Sequence, residues 1–177
     1  VTPGTLPEML FWITLKISVL AYLGVSLAAF FLLFPLIMLA STFATLMLPV
    51  AAKWLLIGRY KSGERFFWTY WMWRSEVAYE IELFIMSSFG EAFGGTPLMA
   101  WWYRIKGTQI GKAVCIFGGV VMEADLTTIG DYTCVEGFLQ THLFEDRVMK
   151  LGEVRIGSDC TVGNEACVLY SSEMGDC

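Results

Sequence analysis

The chain has 177 residues, 56% of them apolar and 16% charged, with a formal net charge of −5. Soluble domains average about 45–50% apolar and about 25% charged, so this is not the composition of an ordinary soluble protein. The acidic balance excludes nucleic acid as the main partner, because phosphate binding needs a surplus of Lys and Arg.

The bias is uneven. Residues 1–103 carry six Lys/Arg, six Asp/Glu and all seven tryptophans, whereas residues 104–177 carry six Lys/Arg and eleven Asp/Glu. The five cysteines are odd in number and lack CxxC spacing. They read as free thiols on the reducing side of a membrane. The chain begins at Val1, its opening has no basic n-region, and it ends on "MGDC", which looks like the start of another repeat. Both ends read as cuts in a longer polypeptide, and the opening does not read as a signal peptide.

Residues 9–57 are almost wholly apolar, with Lys16 and Lys53 the only charges. As one helix they would extend about 74 Å, against a hydrocarbon core of about 30 Å. The expectation is two membrane spans, 9–33 and 37–58, broken where Pro35 follows Phe34. Arg59, Lys61 and Arg65 follow the second span and place that end on the cytoplasmic side. Residues 1–65 thus form a transmembrane helical hairpin in this reading.

Residues 66–103 read as an interfacial aromatic helix and a linker. Over 66–90, Thr69, Glu76, Glu80 and Ser87 share one helical face, and Tyr70, Val77, Ile81, Phe84, Ile85 and Ser88 lie towards the other. Trp68, Trp71 and Trp73 suit headgroup depth. Packing of this helix against the acidic half is an equal alternative.

From residue 104 the chain is repetitive. Ile110, Ile116, Met122, Ile129, Val135, Ile156, Val162 and Val168 begin hexads whose fifth residues are Val114, Val120, Leu126, Thr133, Leu139, Cys160, Ala166 and Ser172. Gly111, Gly130, Gly157 and Gly163 stand second and would relieve the corners. Helical packing needs spacings of three and four, so a period of six points instead to strand and corner. Three hexads make one coil, and the aliphatic residues stack inside at about 4.8 Å per coil. The fold class is therefore α + β: membrane helices followed by a left-handed parallel β-helix over 104–177, with Cys115 and Cys134 stacked as neighbours.

The second coil lacks its third hexad, due near Thr141. Instead "HLFEDRVMKLGEV" loops out. It holds His142, the only histidine and the side chain suited to proton transfer near neutrality. Glu145 or Asp146 would orient it, and Arg147 would clamp an anion or pair with those acids. The bland alternative is a solvated loop with a structural histidine. One histidine cannot make the three-histidine zinc site of gamma-class carbonic anhydrases, so no metal is expected.

The hexads resemble the hexapeptide-repeat acyltransferases. The succession "KWLLIGRYKSGE", "GGTPLMAWWYRIKGTQIG", "EADLTTIGD", "LQTHLFEDRVMK" and "VGNEACVLY" resembles the C-terminal membrane region of the epsilon-poly-lysine synthetase family, which are non-ribosomal peptide synthetase-like proteins. The resemblance covers roughly residues 50–177. It implies an amide-forming acyltransferase module that joins an (amino)acyl thioester to an amine. His142 would then be the catalytic base. Asp125, Gln140, Thr141, Glu145, Asp146 and Arg147 would bind substrate. No cofactor would be bound tightly; a carrier phosphopantetheine thioester or coenzyme A would serve as co-substrate. Partners would be the lipid membrane and neighbouring β-helix modules, either of the same chain or as a homotrimer-like assembly. The alternative is a non-catalytic, membrane-anchored β-helix that docks other subunits of a membrane complex.

Overall fold

A computed structural model describes residues 6–24, 26–117 and 121–177. Residue 120, expected fifth in its hexad, lies outside the described residues. The apolar N-terminal segment forms α1 (Leu6–Tyr22) and α2 (Leu27–Leu56). The break falls between Tyr22 and Leu27, not at Pro35, and α2 runs through both Pro35 and Pro49. The reason is local. Gly24 takes φ +66 and Ser26 caps α2, accepting the Ala29 N–H at 3.4 Å, so turn and cap are both supplied here. Proline removes one hydrogen bond, a loss that long apolar helices tolerate.

Of the two expected spans, one is supported. Only the stretch Ala29–Leu56, 28 residues of mean hydropathy 2.2, is long and apolar enough to cross a membrane among the described residues. With 17 residues, α1 spans about 26 Å, short of the hydrocarbon thickness. Lys16 Nζ on α1 donates to Ser41 Oγ on α2 at 2.6 Å.

The two halves of α2 differ. Leu32, Leu36 and Leu39 are exposed, whereas Leu46, Val50, Ala52 and Lys53 are buried. What buries the second half are two helices where one helix and a linker were expected. α3 (Tyr70–Phe93) is capped by Thr69, whose hydroxyl accepts the Met72 N–H at 3.4 Å. It lies along α2 and buries Met72, Ser75, Ala78 and Ile85, a stripe at helical spacing. Ile85 is thus turned away from Tyr70, Val77 and Phe84, which are exposed together with Trp68 and Trp73. Trp71 is half-buried edge-on against Tyr60. α4 (Pro97–Lys106) is fastened to α2 by two indoles: Trp102 Nε1 donates to Leu46 O at 2.7 Å, and Trp54 Nε1 to Ile105 O at 3.0 Å.

Beyond α4 the chain forms short parallel strands in three ladders. In one, β2 (Gln109–Ile110), β4 (Thr127–Ile129), β9 (Val154–Ile156) and β12 (Glu173–Met174) stack, aligning Ile110, Ile129, Ile156 and Met174. In the next, β3 (Cys115–Ile116), β5 (Cys134–Val135) and β10 (Thr161–Val162) align Ile116, Val135 and Val162. In the third, β6 (Phe138–Leu139) pairs with β11 (Cys167–Val168), and Val121 bridges to Leu139. The aligned side chains share one core with Val50, Met99, Trp102 and Tyr103, so α4 seats the stack on α2.

Two register expectations change. Val121 and Leu139, both 0% exposed, take the inward positions of the third ladder, rather than Met122 and a residue near 141. The corner between Val135 and Leu139 is simply shorter. Nor does the second-position glycine make the left-handed turn. That conformation belongs to the fourth residue: Ala113, Tyr132, Asp159, Glu165 and Ser171, with φ between 51 and 62. Glycine is needed for contact, since a Cβ on Gly130 would lie 2.4 Å from the Gly157 carbonyl carbon.

Candidate active site

The segment expected as a loop is a β-hairpin. β7 (His142–Glu145) pairs antiparallel with β8 (Val148–Leu151), and β1 (Gly63–Phe66) adds to the far side of β8. Asp146 and Arg147, with φ 51 and 63, form its two-residue turn, the backbone that matches the twist of paired strands. The hairpin starts where the third ladder ends. It therefore lays His142 against the stack, while its tip projects away.

His142 Nδ1 lies 2.9 Å and 3.1 Å from the two carboxylate oxygens of Glu123. A carboxylate only accepts, so Nδ1 carries the proton and Nε2 is left as the basic atom. Glu123 is 5% exposed and is itself held. The Thr141 hydroxyl donates to its Oε2, and the Glu123 N–H donates to Thr141 Oγ1 at 3.1 Å. A buried carboxylate locked in this way fixes both the tautomer and the plane of the imidazole. Phe144 sets the other side, edge-on at 5.0 Å between ring centroids, and Phe67 packs on Phe144 at 5.4 Å.

The half-buried imidazole lines a cavity of about 190 Å³ between α3, the end of α2 and the hairpin. Tyr60, Ser75, Glu76, Tyr79 and Met122 are also on its wall. Tyr60 and Ser75 hydroxyls are 3.2 Å apart. Burial pushes the Tyr60 and Tyr79 phenols above their ordinary range, so both stay protonated as donors at neutral pH. Two buried lysines reach the same cavity, each beside an acid. Lys106 bonds to Glu82. Lys53 Nζ is 2.6 Å from Asp125 Oδ2, an ion contact without hydrogen-bond alignment.

The residues proposed from sequence separate into two groups. Thr141 and His142 come together with Glu123. Asp125 does not line the cavity: it faces Lys53 and accepts the Tyr60 N–H at 2.9 Å. Gln140 does not line the cavity either; its side-chain Oε1 accepts from Cys167 Sγ at 3.6 Å. Glu145 pairs with Lys150 at 2.5 Å on the exposed hairpin, and Asp146 and Arg147 are at its tip. The histidine's acid is thus Glu123, not Glu145 or Asp146. The spacing matches that of the parallel strands: Gln109 pairs with Thr128 and Cys115 with Cys134, each 19 positions on, and Glu123 precedes His142 by 19 positions. Asp125, two residues on, is turned the other way by a short 3₁₀ turn, Ala124–Leu126. Among the described residues no group of three or more His, Cys, Asp or Glu is placed to hold a metal ion.

No protein-family model and no solved structure matches the chain. It is similar to the delta-poly-L-ornithine synthetase of Acinetobacter baumannii (strain AB307-0294), 37% identical over 127 residues. The match covers 70% of this chain and 10% of that relative, so the chain spans about a tenth of its length.

Proposed function

We propose that this chain is a membrane-anchored acyltransferase module that forms an amide between an (amino)acyl thioester and an amine. The carrying observation is the Thr141–Glu123–His142 series, which presents Nε2 as a fixed base at a cavity wall. An alkylammonium, with a pKa of about 10.4, is not nucleophilic at neutral pH until it loses a proton. His142 takes that proton. The freed amine attacks the thioester carbonyl, and the tetrahedral intermediate collapses to the amide and expels the thiol, which leaves with a proton. The donor is a carrier phosphopantetheine or coenzyme A thioester, used as co-substrate. The similarity to a poly-ornithine synthetase supports amide formation. In this reading the acceptor amine belongs to a basic amino acid, ornithine or, as in the epsilon-poly-lysine synthetase family, lysine.

The parallel ladders wind as a left-handed β-helix in this reading, and neighbouring modules complete the site. Arg59, Lys61 and Arg65 favour a cytoplasmic position for it. The second reading, a non-catalytic docking platform, draws support from Glu145, Asp146 and Arg147, which stand at the hairpin tip away from the cavity.

The test is amide formation by the intact polypeptide, followed by mass spectrometry of the product. His142→Ala and Glu123→Gln are each expected to lower the rate by roughly 10²–10⁴-fold with the chain still folded. Unchanged rates in both variants would leave the docking reading standing.

A further inference from the structure

The cavity beside His142 separates its polar groups by wall. The hairpin side presents an acceptor, His142 Nε2, whose ring is fixed by Glu123. The side made by α2, α3 and Tyr60 presents donors: the Lys53 ammonium and the Tyr60 and Ser75 hydroxyls. These donors are close together, with Lys53 Nζ 6.0 Å from the Tyr60 ring centroid and the two hydroxyl oxygens 3.2 Å apart.

Their hydrogen bonds are not filled. Lys53 is 4% exposed, and its three N–H groups make no aligned hydrogen bond among the described residues. Asp125 balances the charge at 2.6 Å but is off the cavity wall. Between the Tyr60 and Ser75 hydroxyls only one proton is used, which leaves the other for a ligand. The buried acids of the wall are engaged elsewhere: Glu82 with Lys106, and Glu123 with His142 and Thr141. A buried ammonium with unmet donors calls for an anionic partner. A cavity of about 150 Å³ suffices for benzene. This one, of about 190 Å³, takes a small amino acid.

We propose that Lys53, with the spare hydroxyl proton of the Tyr60–Ser75 pair, binds the carboxylate of the acceptor, so that the substrate class is an amino acid and not a simple diamine. The proposal rests on the amide-forming reading given above. Lys53 Nζ donates to one carboxylate oxygen and the hydroxyl to the other, and the amine at the far end of the molecule gives its proton to His142 Nε2. A diamine would bring a second ammonium against Lys53, where like charges repel.

The experiment titrates the intact polypeptide in detergent with L-ornithine, L-ornithine amide or 1,4-diaminobutane. Binding is read as slowed amide exchange in the peptides of α3 and β7, so that only this cavity is reported. Ornithine is expected to protect at a concentration at least about tenfold below the other two, the size of a hydrogen bond to a charged group. Lys53→Met/Asp125→Asn removes both charges of the ion contact and strands neither; it should bring the three ligands within about twofold. Tyr60→Phe keeps the ring against Trp71 and should weaken ornithine severalfold with diaminobutane unchanged. Absence of protection by ornithine, equal protection by all three ligands, or an ornithine preference undiminished in both variants would each overturn the proposal. The binding readout needs no turnover. A preference for ornithine alongside amide formation indifferent to His142→Ala would therefore sink the catalytic reading and leave the carboxylate subsite in place.

Discussion

At the scale of single residues, the site is a set of ionic contacts placed where water is scarce. Lys106 is 1% exposed and its partner Glu82 is half-buried. Removing one member of such a pair strands the other charge. Glu82→Leu is expected to cost about 3–5 kcal/mol, and a Glu82→Leu/Lys106→Met double variant to recover much of it, read by denaturant unfolding in detergent. Burial raises the Glu82 carboxyl above its ordinary range by more than Lys106 lowers it. A carboxyl raised on folding contributes stability that is full below the unfolded pKa and is lost as pH rises through the folded one. Unfolding free energy should therefore decline as pH rises from the ordinary carboxylate range towards the raised value, and Glu82→Gln should flatten that slope. The residues of "HLFEDR" separate at this scale too. His142 was legible as a candidate base from its chemistry, but the carboxylate beside it was not singled out, because the nearest carboxylates in sequence are on the hairpin tip and the nearest in space, Glu123, is 19 positions away.

At the scale of elements, the acidic half forms several short parallel strands, and their ladders align Ile110, Ile129, Ile156 and Met174. What spacing did not show was the shortened corner that makes Leu139 an inward residue, or that the interruption after it folds as a hairpin strapped by β1. A strand contributed by residues 63–66 pairs across more than eighty positions, and local pattern carries no information about such a partner. The end of α4 is similarly tight. Gly107 has φ +120, and a Cβ there would stand 2.2 Å from Asp125 Oδ1. Gly107→Ala is expected to destabilise by roughly 1–3 kcal/mol, from the left-handed backbone and the displaced Lys53–Asp125 contact. A melting temperature unchanged from that of the parent chain would count against this account of the corner.

At the scale of the whole molecule, α2 has two unlike halves. About twenty residues cross a hydrocarbon core, and the stretch Ala29–Leu56 has 28. One face of its second half is buried against α3, α4 and the strand stack, whereas Phe31, Leu32, Leu36 and Leu39 in its first half are exposed. The chain is expected to stay in the membrane pellet after alkaline carbonate extraction. Leu39→Arg, at about +2.5–3.5 kcal/mol near a bilayer centre, should lower the retained fraction. Release of the parent chain into the supernatant would contradict a membrane-spanning α2.

Sequence alone determined the division into an apolar half and an acidic half, since composition is a property of the chain itself. It also carried the likeness to a peptide-synthetase-like enzyme and singled out His142 as a candidate base. Tertiary structure decided the rest. It broke the apolar segment at Gly24 and Ser26, turned Ile85 inward against α2, and chose Glu123 over Glu145 for the histidine. Each of these depends on which surfaces meet, and pairing between stacked strands and packed helices sets that at distances the linear pattern does not encode.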